Sequence, residues 1–427
     1  MINRMRAGRA SSWSALALGL LASTPALAYD GQQSWMRFDP HNTATSAVDQ
    51  PYDHSFARQW EANPPKGFPT LAAENIAAMK VAIKRYTDIV EGGGWPTLPD
   101  ASLQPGESGR SVELLRQRLA ASGDLRGPDE GMLGSGYDYA VERAVKRFQA
   151  SNGLTPTGIV DKRTIAALNV PAAVRLKQLK TNLDRVQELA RTAGKKYIVV
   201  NIPAAQIEAV EGDRVVSRHA GVVGKLDRQT PILKSAVHQL NFNPVWHLPP
   251  TVIMKDLIPK ARDMQARGQD ALAKYGIEAY GAEGKKLDTS KINWSNLGTA
   301  GLTYRQQPGP ENPLGFVKIN FHNSHSVYMH DTPSQTLFGR NFRAASSGCV
   351  RISGIENLAA WLVADQGWTE EKVKAMKKSG ERLDVTLKKP VPLYFAYITA
   401  WATEDGVIQF RRDIYNKDGV GALASAY

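Results

Sequence analysis

Apolar side chains recur at helical spacing between residues 71 and 193, then shift from 197 onward to short runs punctuated by Gly and Pro. Ile76, Met79, Ile83 and Tyr86 predict a helix over 71–90, ended by Gly92-Gly93-Gly94. Val112, Leu115 and Leu119 share one face of a second helix, which Ser111 is placed to cap and Gly123 to stop. Val141, Ala144, Val145 and Phe148 predict a third over 139–150. Asp161 then caps a short fourth carrying Ile165 and Leu168. These last three helices outline a compact unit over 108–170. Leu176, Leu179, Leu183, Val186 and Leu189 predict a longer helix over 173–193, inside a connecting segment 171–195.

Strands are expected at 197–202, 206–210 and 214–222, with a hairpin turn at Glu211-Gly212-Asp213. Further strands are expected at 235–242, 317–321, 327–330, 383–387, 393–401 and 407–410. Many short strands of this kind point to a sandwich or a barrel. Between about 250 and 303 the pattern turns helical and charged, with Met254, Leu257, Ile258, Ala271, Leu272 and Tyr275 as its apolar positions. An insertion of that length predicts a lid over the sheet. The expected fold is multidomain α+β. A β-rich, sandwich-like domain with a helical lid insertion occupies 196–427, and a small three-helix domain precedes it.

The first 28 residues change the picture of where the chain works. Arg4, Arg6 and Arg9 open it without an acidic neighbour, an apolar run covers 13–21, and Pro25-Ala26-Leu27-Ala28 closes it. These are the three parts of a secretory signal peptide, so export to the periplasm and a mature start near Tyr29 are expected. The run is too short to cross a bilayer, and no other stretch predicts a transmembrane helix. Residues 29–107 read as a lead-in or scaffold segment. The formal net charge is +12, or +9 without the three leader arginines. Such an excess favours acidic partners such as wall polymers or anionic headgroups. No compact basic run is interleaved with aromatics, so nucleic acid is not an expected partner.

One cysteine, Cys349, occurs in 427 residues. A lone cysteine in an exported chain is either an incidental buried thiol or a nucleophile. It stands in Ser346-Ser347-Gly348-Cys349-Val350-Arg351, and His330 ends the strand Ser326-Val327-Tyr328-Met329-His330 upstream. A thiol with a reference pKa of about 8.5 needs a base or a positive field to react at neutral pH. A strand end and the following loop can bring His330 to Cys349 as that base. Gly348 permits close backbone approach, so amides there are candidate donors to an oxyanion. His322 and His325 have HxxH spacing but no third ligand, so no metal is expected, and no cofactor motif is present. His219, His238 and His247 read as structural. No Ser-x-x-Lys occurs, which removes a serine acyl-enzyme of the penicillin-binding kind.

The string HDTPSQTLFGRNFRAASSGCVRI, His330 to Ile352, resembles the catalytic motif of the L,D-transpeptidase (YkuD-type) family. NPVWHLPP (Asn243 to Pro250), YRQQPGPENPLG (Tyr304 to Gly315) and VPLYFAYITAWATEDGVIQFRRDIY (Val391 to Tyr415) are similar to its YcbB-type branch. That branch combines the catalytic domain with an inserted capping segment and a peptidoglycan-binding domain. AVKRFQASNGLTPTGIVDKRTIAALNV, Ala144 to Val170, resembles the C-terminal half of such a binding domain. Where many members of the family carry a second histidine, this chain has Ser347, as the YcbB-type branch does.

The resemblance implies a peptidoglycan L,D-transpeptidase. Cys349 attacks the bond between the third stem residue and the terminal D-alanine of a tetrapeptide donor, and His330 moves the proton. The amine of a neighbouring stem then takes the acyl group, giving a 3→3 cross-link. Arg351 and Arg305 are candidate anchors for stem carboxylates. Trp246, Tyr304 and Tyr328 are candidate cleft residues, and Ser346 and Ser347 complete the expected substrate contacts. The resemblance also implies acylation of Cys349 by carbapenem-type β-lactams. Two alternatives stay open: an L,D-carboxypeptidase or hydrolase of the same fold, and a non-catalytic wall-binding protein.

Overall fold

The computed structural model describes residues 69–125, 135–295, 301–402 and 406–421. The leader read over 1–28 and the lead-in up to residue 68 lie outside the described residues.

Helix α1, Glu74–Glu91, buries Met79, Ala82 and Tyr86 against Leu179 and Val186 of α5, Ala172–Ala190. Between them lies the three-helix unit: α2 (Arg110–Ser122), α3 (Tyr139–Ser151) and α4 (Lys162–Leu168). Asp161 caps α4 as expected, accepting from the Thr164 amide at 2.8 Å, and Asp138 does the same for α3. Ser111 does not cap α2. That helix starts two residues earlier, from Gly109, and leaves Ser111 in its first turn. Val112, Leu115, Leu119, Val145, Phe148 and Leu168 form the unit's core, joined by Leu98 and Leu103. Leu103 pairs with Val160, so segment 94–107, expected to belong to the lead-in, is part of the packed unit.

The β-rich part runs β1 (Lys196–Asn201), β2 (Gln206–Glu211), β3 (Arg214–Gly224) and β4 (Leu233–Phe242). The insertion follows, with β5 (Trp246–His247), α6 (Ile258–Ala266), α7 (Ala271–Lys274), β6 (Ile277–Tyr280) and β7 (Thr303–Gln306). After it come β8 (Val317–Phe321), β9 (Met329–His330), β10 (Ala344–Ser346), β11 (Val350–Ile352), α8 (Ile355–Leu362) and α9 (Glu370–Ser379). The strands β12 (Leu383–Ala396), β13 (Ala400–Ala402) and β14 (Ile408–Phe410) complete it.

Among the described residues nine strands form one sheet, ordered β10-β3-β11-β9-β8-β4-β12-β1-β2. Because β2 also pairs with β3, the sheet closes on itself. Inward residues such as Ile198, Val200, Ile207, Leu240, Ile319, Met329 and Leu393 share one core with Ile355, Leu358 and Leu362 of α8. Outward residues Tyr197, Val199, Tyr394 and Ala396 pack under α1 and α5. With both faces covered, β1 and the end of β12 read as continuous apolar runs instead of alternating ones. The strands expected at 383–387 and 393–401 prove to be one long strand up to Ala396, with a register shift between Thr386 and Val391. Lys388-Lys389-Pro390 lies at that shift, and the polar, proline-containing stretch is what divided the pattern.

The insertion joins β4 to β8, which are antiparallel neighbours with Phe242 opposite Val317. It is therefore a greatly enlarged hairpin connection. Its core holds Trp246, Leu257, Ile258, Met264, Leu272, Trp294, Tyr304 and Leu314. The unit is wider than the expected 250–303 and is not wholly helical, since β5, β7 and β6 make a three-stranded sheet within it.

Candidate active site

Three strands place the candidate residues. β8 and β9 are antiparallel with Lys318 opposite His330, and β9 and β11 are parallel with His330 beside Arg351. Lys318, His330 and Arg351 thus stand abreast on one face. Tyr328 and Cys349 immediately precede β9 and β11, two residues back from His330 and Arg351, and the charges of Lys318 and Arg351 reach the thiol there. The Val350 amide donates to the Tyr328 carbonyl at 3.0 Å, which locks the two strand entries together.

The turn before β11 is built from its own side chains. Ser346 Oγ donates to the Cys349 carbonyl at 2.5 Å and accepts from the Gly348 amide at 3.1 Å. Gly348 has φ +113°, a conformation that glycine adopts without strain. The Gly348 amide, one of the expected oxyanion donors, is therefore engaged by Ser346. A loop between β3 and β4 runs beneath the turn. Thr230 Oγ1 donates to the Gly348 carbonyl at 2.9 Å and accepts from the Gly224 amide at 2.8 Å. The approach is so close that a Cβ on Gly224 would stand 2.1 Å from the Arg228 carbonyl oxygen.

Cys349 is half-buried, and Tyr328 stands beside its thiol. Burial pushes the thiol above its ordinary pKa, opposed by Tyr328 and by the positive charges of Lys318 and Arg351. His330 is 2 % exposed. Its Nδ1 lies 2.5 Å from the Asp331 carbonyl oxygen, and the Pro313 carbonyl also bonds the ring. Burial, with Arg351 and Lys318 nearby, holds the imidazole down to about 3, so it is neutral at physiological pH. The thiol's partner here is thus Tyr328, while main-chain carbonyls orient the histidine.

The other expected contacts divide. Arg351 is 3 % exposed and sits beside His330, where its field reaches Cys349. Tyr328 touches the thiol and accepts from Trp246 Nε1 at 3.1 Å, so Trp246 acts on the site through Tyr328. Tyr304 is 1 % exposed, in the insertion's core. Arg305, on β7, is the strand partner of His247 and Glu278 and lies over the Tyr280 ring at 4.5 Å. His322 stacks on His238 at 4.2 Å, and His325 is exposed. His219 bonds the Ser353 carbonyl, a structural contact as expected.

Lys318 escaped the reading of the sequence. Its ammonium lies 4.5 Å over the Tyr328 ring, and burial lowers its pKa. The one signal was a lysine on a short, otherwise uncharged strand, Val317–Phe321. Arg228 also escaped it: its guanidinium donates to Ser347 Oγ at 2.8 Å.

Residues 195–381 match the YkuD family, described as "L,D-transpeptidase catalytic domain". Residues 108–168 match the family described as "Putative peptidoglycan binding domain". The chain is 31 % identical over 222 residues to a Haemophilus influenzae protein named "Putative L,D-transpeptidase", a match covering 52 % of this chain and 44 % of that one. It thus spans less than half the length of that relative. Crystal structures described as L,D-transpeptidases from Xylanimonas cellulosilytica and Stackebrandtia nassauensis align at 19 % and 14 % identity, with TM-scores of 0.22 and 0.27. They cover 70 % of this chain in each case, and 98 % and 96 % of their own. The family match ends at 381, yet β12 pairs with both β1 and β4 in the middle of the sheet. The folded unit therefore continues past the matched stretch. Residues 195–381 thus carry the match to the L,D-transpeptidase catalytic domain of the YkuD family, joined in one chain to the peptidoglycan-binding match over 108–168.

Proposed function

We propose that the chain cross-links peptidoglycan stem peptides by acyl transfer through Cys349. One observation carries this reading. The only thiol of the chain immediately precedes β11, beside Tyr328 and within reach of the charges of Lys318 and Arg351, which flank His330 across the strand pairings, with the insertion's Trp246 bonded to Tyr328.

In the first step the Cys349 sulfur forms a bond to the carbonyl carbon of the third stem residue. His330 takes the thiol proton on Nε2 once Nδ1–H is held by the Asp331 carbonyl. For this the ring exchanges its Pro313 contact for the thiol, in keeping with the tightening of catalytic hydrogen bonds when substrate binds. The C–N bond to D-alanine breaks, and the leaving amine takes the proton from His330. In the second step an acceptor amine forms the new C–N bond, its proton passes through His330, and the C–S bond breaks. With the Gly348 amide engaged by Ser346, the Cys349 amide is our candidate for the oxyanion contact. Lys318 and Arg351 supply positive charge to the thiolate and to a donor carboxylate, an arrangement suited to anionic stems. Export to the periplasm, 3→3 linkage and acylation of Cys349 by carbapenems belong to the same proposal.

Muropeptide analysis tests it. Purified mature chain is incubated with disaccharide-tetrapeptides beside a Cys349→Ala control. Dimers joined third residue to third residue, formed only with the thiol present, are expected. Tripeptide alone moves the assignment to a carboxypeptidase. No thiol-dependent product sinks the catalytic reading.

A further inference from the structure

Two contacts tie the insertion to the catalytic turn. One runs from Trp246 through Tyr328 to the thiol; the other starts from a residue outside the candidate site. Arg228 lies in the loop between β3 and β4, with its side chain 6 % exposed. Its Nη1 and Nη2 form a fork on the carboxylate of Asp256, with Nη2 2.8 Å from Oδ1. Nη1 also donates to Ser347 Oγ at 2.8 Å, and Asp227 stands 3.6 Å from Nε. The same loop holds the turn's main chain: the Lys225 amide donates to the Ser346 carbonyl at 3.0 Å.

Asp256 belongs to the insertion, on a π-helical turn, Ile253–Leu257, just before α6. A π-turn takes in one extra residue, which rotates the helix beyond it by about 100° relative to an unbroken α-helix. Here that rotation is compatible with Asp256 facing the loop while Leu257, Ile258 and Ala261 enter the insertion's core. A planar fork on a carboxylate defines direction as well as distance, which a lysine's point charge does not. One guanidinium therefore touches the insertion at Asp256 and the catalytic turn at Ser347, two residues before Cys349.

We propose that Arg228 is a positioning residue: its ion pair with Asp256 fastens the insertion over the cleft, and its bond to Ser347 sets the turn that presents Cys349. The inference rests on Cys349 being the reactive thiol and extends that reading to donor binding. The insertion is seated on the site only while the fork is intact, and a long anionic stem enters when the fork opens.

The test uses the full mature chain and two readouts, so that its failure is distinct from failure of the transpeptidase reading. Alkylation of Cys349 by iodoacetamide reports access to the thiol and needs no turnover. Consumption of disaccharide-tetrapeptide reports kcat and KM. Asp256→Asn, at a partly exposed position, removes the charge and keeps the shape; it is expected to speed alkylation and raise KM about tenfold with kcat little changed. Arg228→Lys is expected to raise KM similarly and also to slow kcat, because an ammonium cannot hold Asp256 and Ser347 in the same geometry. Asp263→Asn breaks a solvent-exposed pair with Arg267 on α6 and serves as the control, with no expected change. If Arg228→Lys does not fold, Asp256→Asn still decides. Wild-type alkylation and KM in Asp256→Asn overturn the proposal. If the wild-type chain turns over no stem, faster alkylation in Asp256→Asn still supports the fastening, and an unchanged rate still removes it.

Discussion

The indole N–H of Trp246 donates to the phenol oxygen of Tyr328 at 3.1 Å, and the same phenol stands beside the Cys349 thiol. A buried tryptophan in the insertion is thereby linked, through one hydroxyl, to the group proposed to do the chemistry. With its oxygen accepting from the indole, the phenol has its own proton to offer the neighbouring sulfur.

Removing that proton is expected to weaken the thiolate. A hydrogen bond of about 1 kcal/mol corresponds to roughly a fivefold change in equilibrium. Tyr328→Phe should therefore slow iodoacetamide alkylation at pH 7 by about that factor. Trp246→Phe, which leaves the Tyr328 hydroxyl beside the sulfur, should have a smaller effect. Unchanged or faster labelling in Tyr328→Phe shows that the phenol does not stabilise the thiolate.

The pH dependence follows from the opposite shifts of the pair. His330 is held down to about 3 by burial and by Arg351, and burial raises the Cys349 thiol. Since the histidine gains its proton only near pH 3, no loss of activity on the acid side should centre near 6.5. The rate of acyl-enzyme formation should instead climb as pH rises toward and past the ordinary thiol range. A bell-shaped profile with an acid limb near 6.5 contradicts this neutral-histidine ground state.

Asp331 makes a stability prediction. Burial raises its carboxyl to about 6, while Oδ2 accepts from the Phe316 amide at 3.1 Å. A folded pKa above the unfolded value favours the native state below about pH 4, and that gain is lost as pH rises through about 6. Asp331→Asn keeps an acceptor for Phe316 and has no charge to desolvate. Its melting temperature should exceed the wild-type value at pH 8, with the gap shrinking or reversing at pH 4.5. Equal differences at the two pH values would show that the carboxyl titrates normally.

Tyr304 separates a core role from a substrate role. Its hydroxyl is buried and has no hydrogen-bond partner among the described residues. An unsatisfied buried hydroxyl costs about 1–3 kcal/mol, so Tyr304→Phe should be neutral or stabilising in denaturant unfolding. Stem KM should not change. A rise in KM in a variant of undiminished stability places the hydroxyl in the cleft after all.

Much of the architecture was legible because it rests on local chemistry. The helices over 139–150 and 173–193 appear because their apolar positions recur at helical spacing, and Asp161 caps its helix because the cap is made within three residues. The Ser-Gly-Cys element and its upstream histidine were readable as a linear string. Other features failed at the same scale. Ser111 looks like a cap, but the helix starts from Gly109. The aromatic rings of Tyr304 and Trp246 were readable, but not that both enter the insertion's core, Trp246 with its indole on Tyr328.

By itself, then, the sequence determined the helical unit, the change to β structure, the lone thiol with its histidine, and the family those strings resemble. Each depends on neighbours along the chain. Only the tertiary structure decided that the sheet closes through β2 and β3, that Lys318 and Arg351 flank His330, and that the thiol's partner is Tyr328. It alone joined Arg228, Asp256 and Ser347, the first two 28 positions apart and the first and last 119 apart. Strand register and chain reversal bring such side chains together, and neither leaves a periodic mark on the residues that meet.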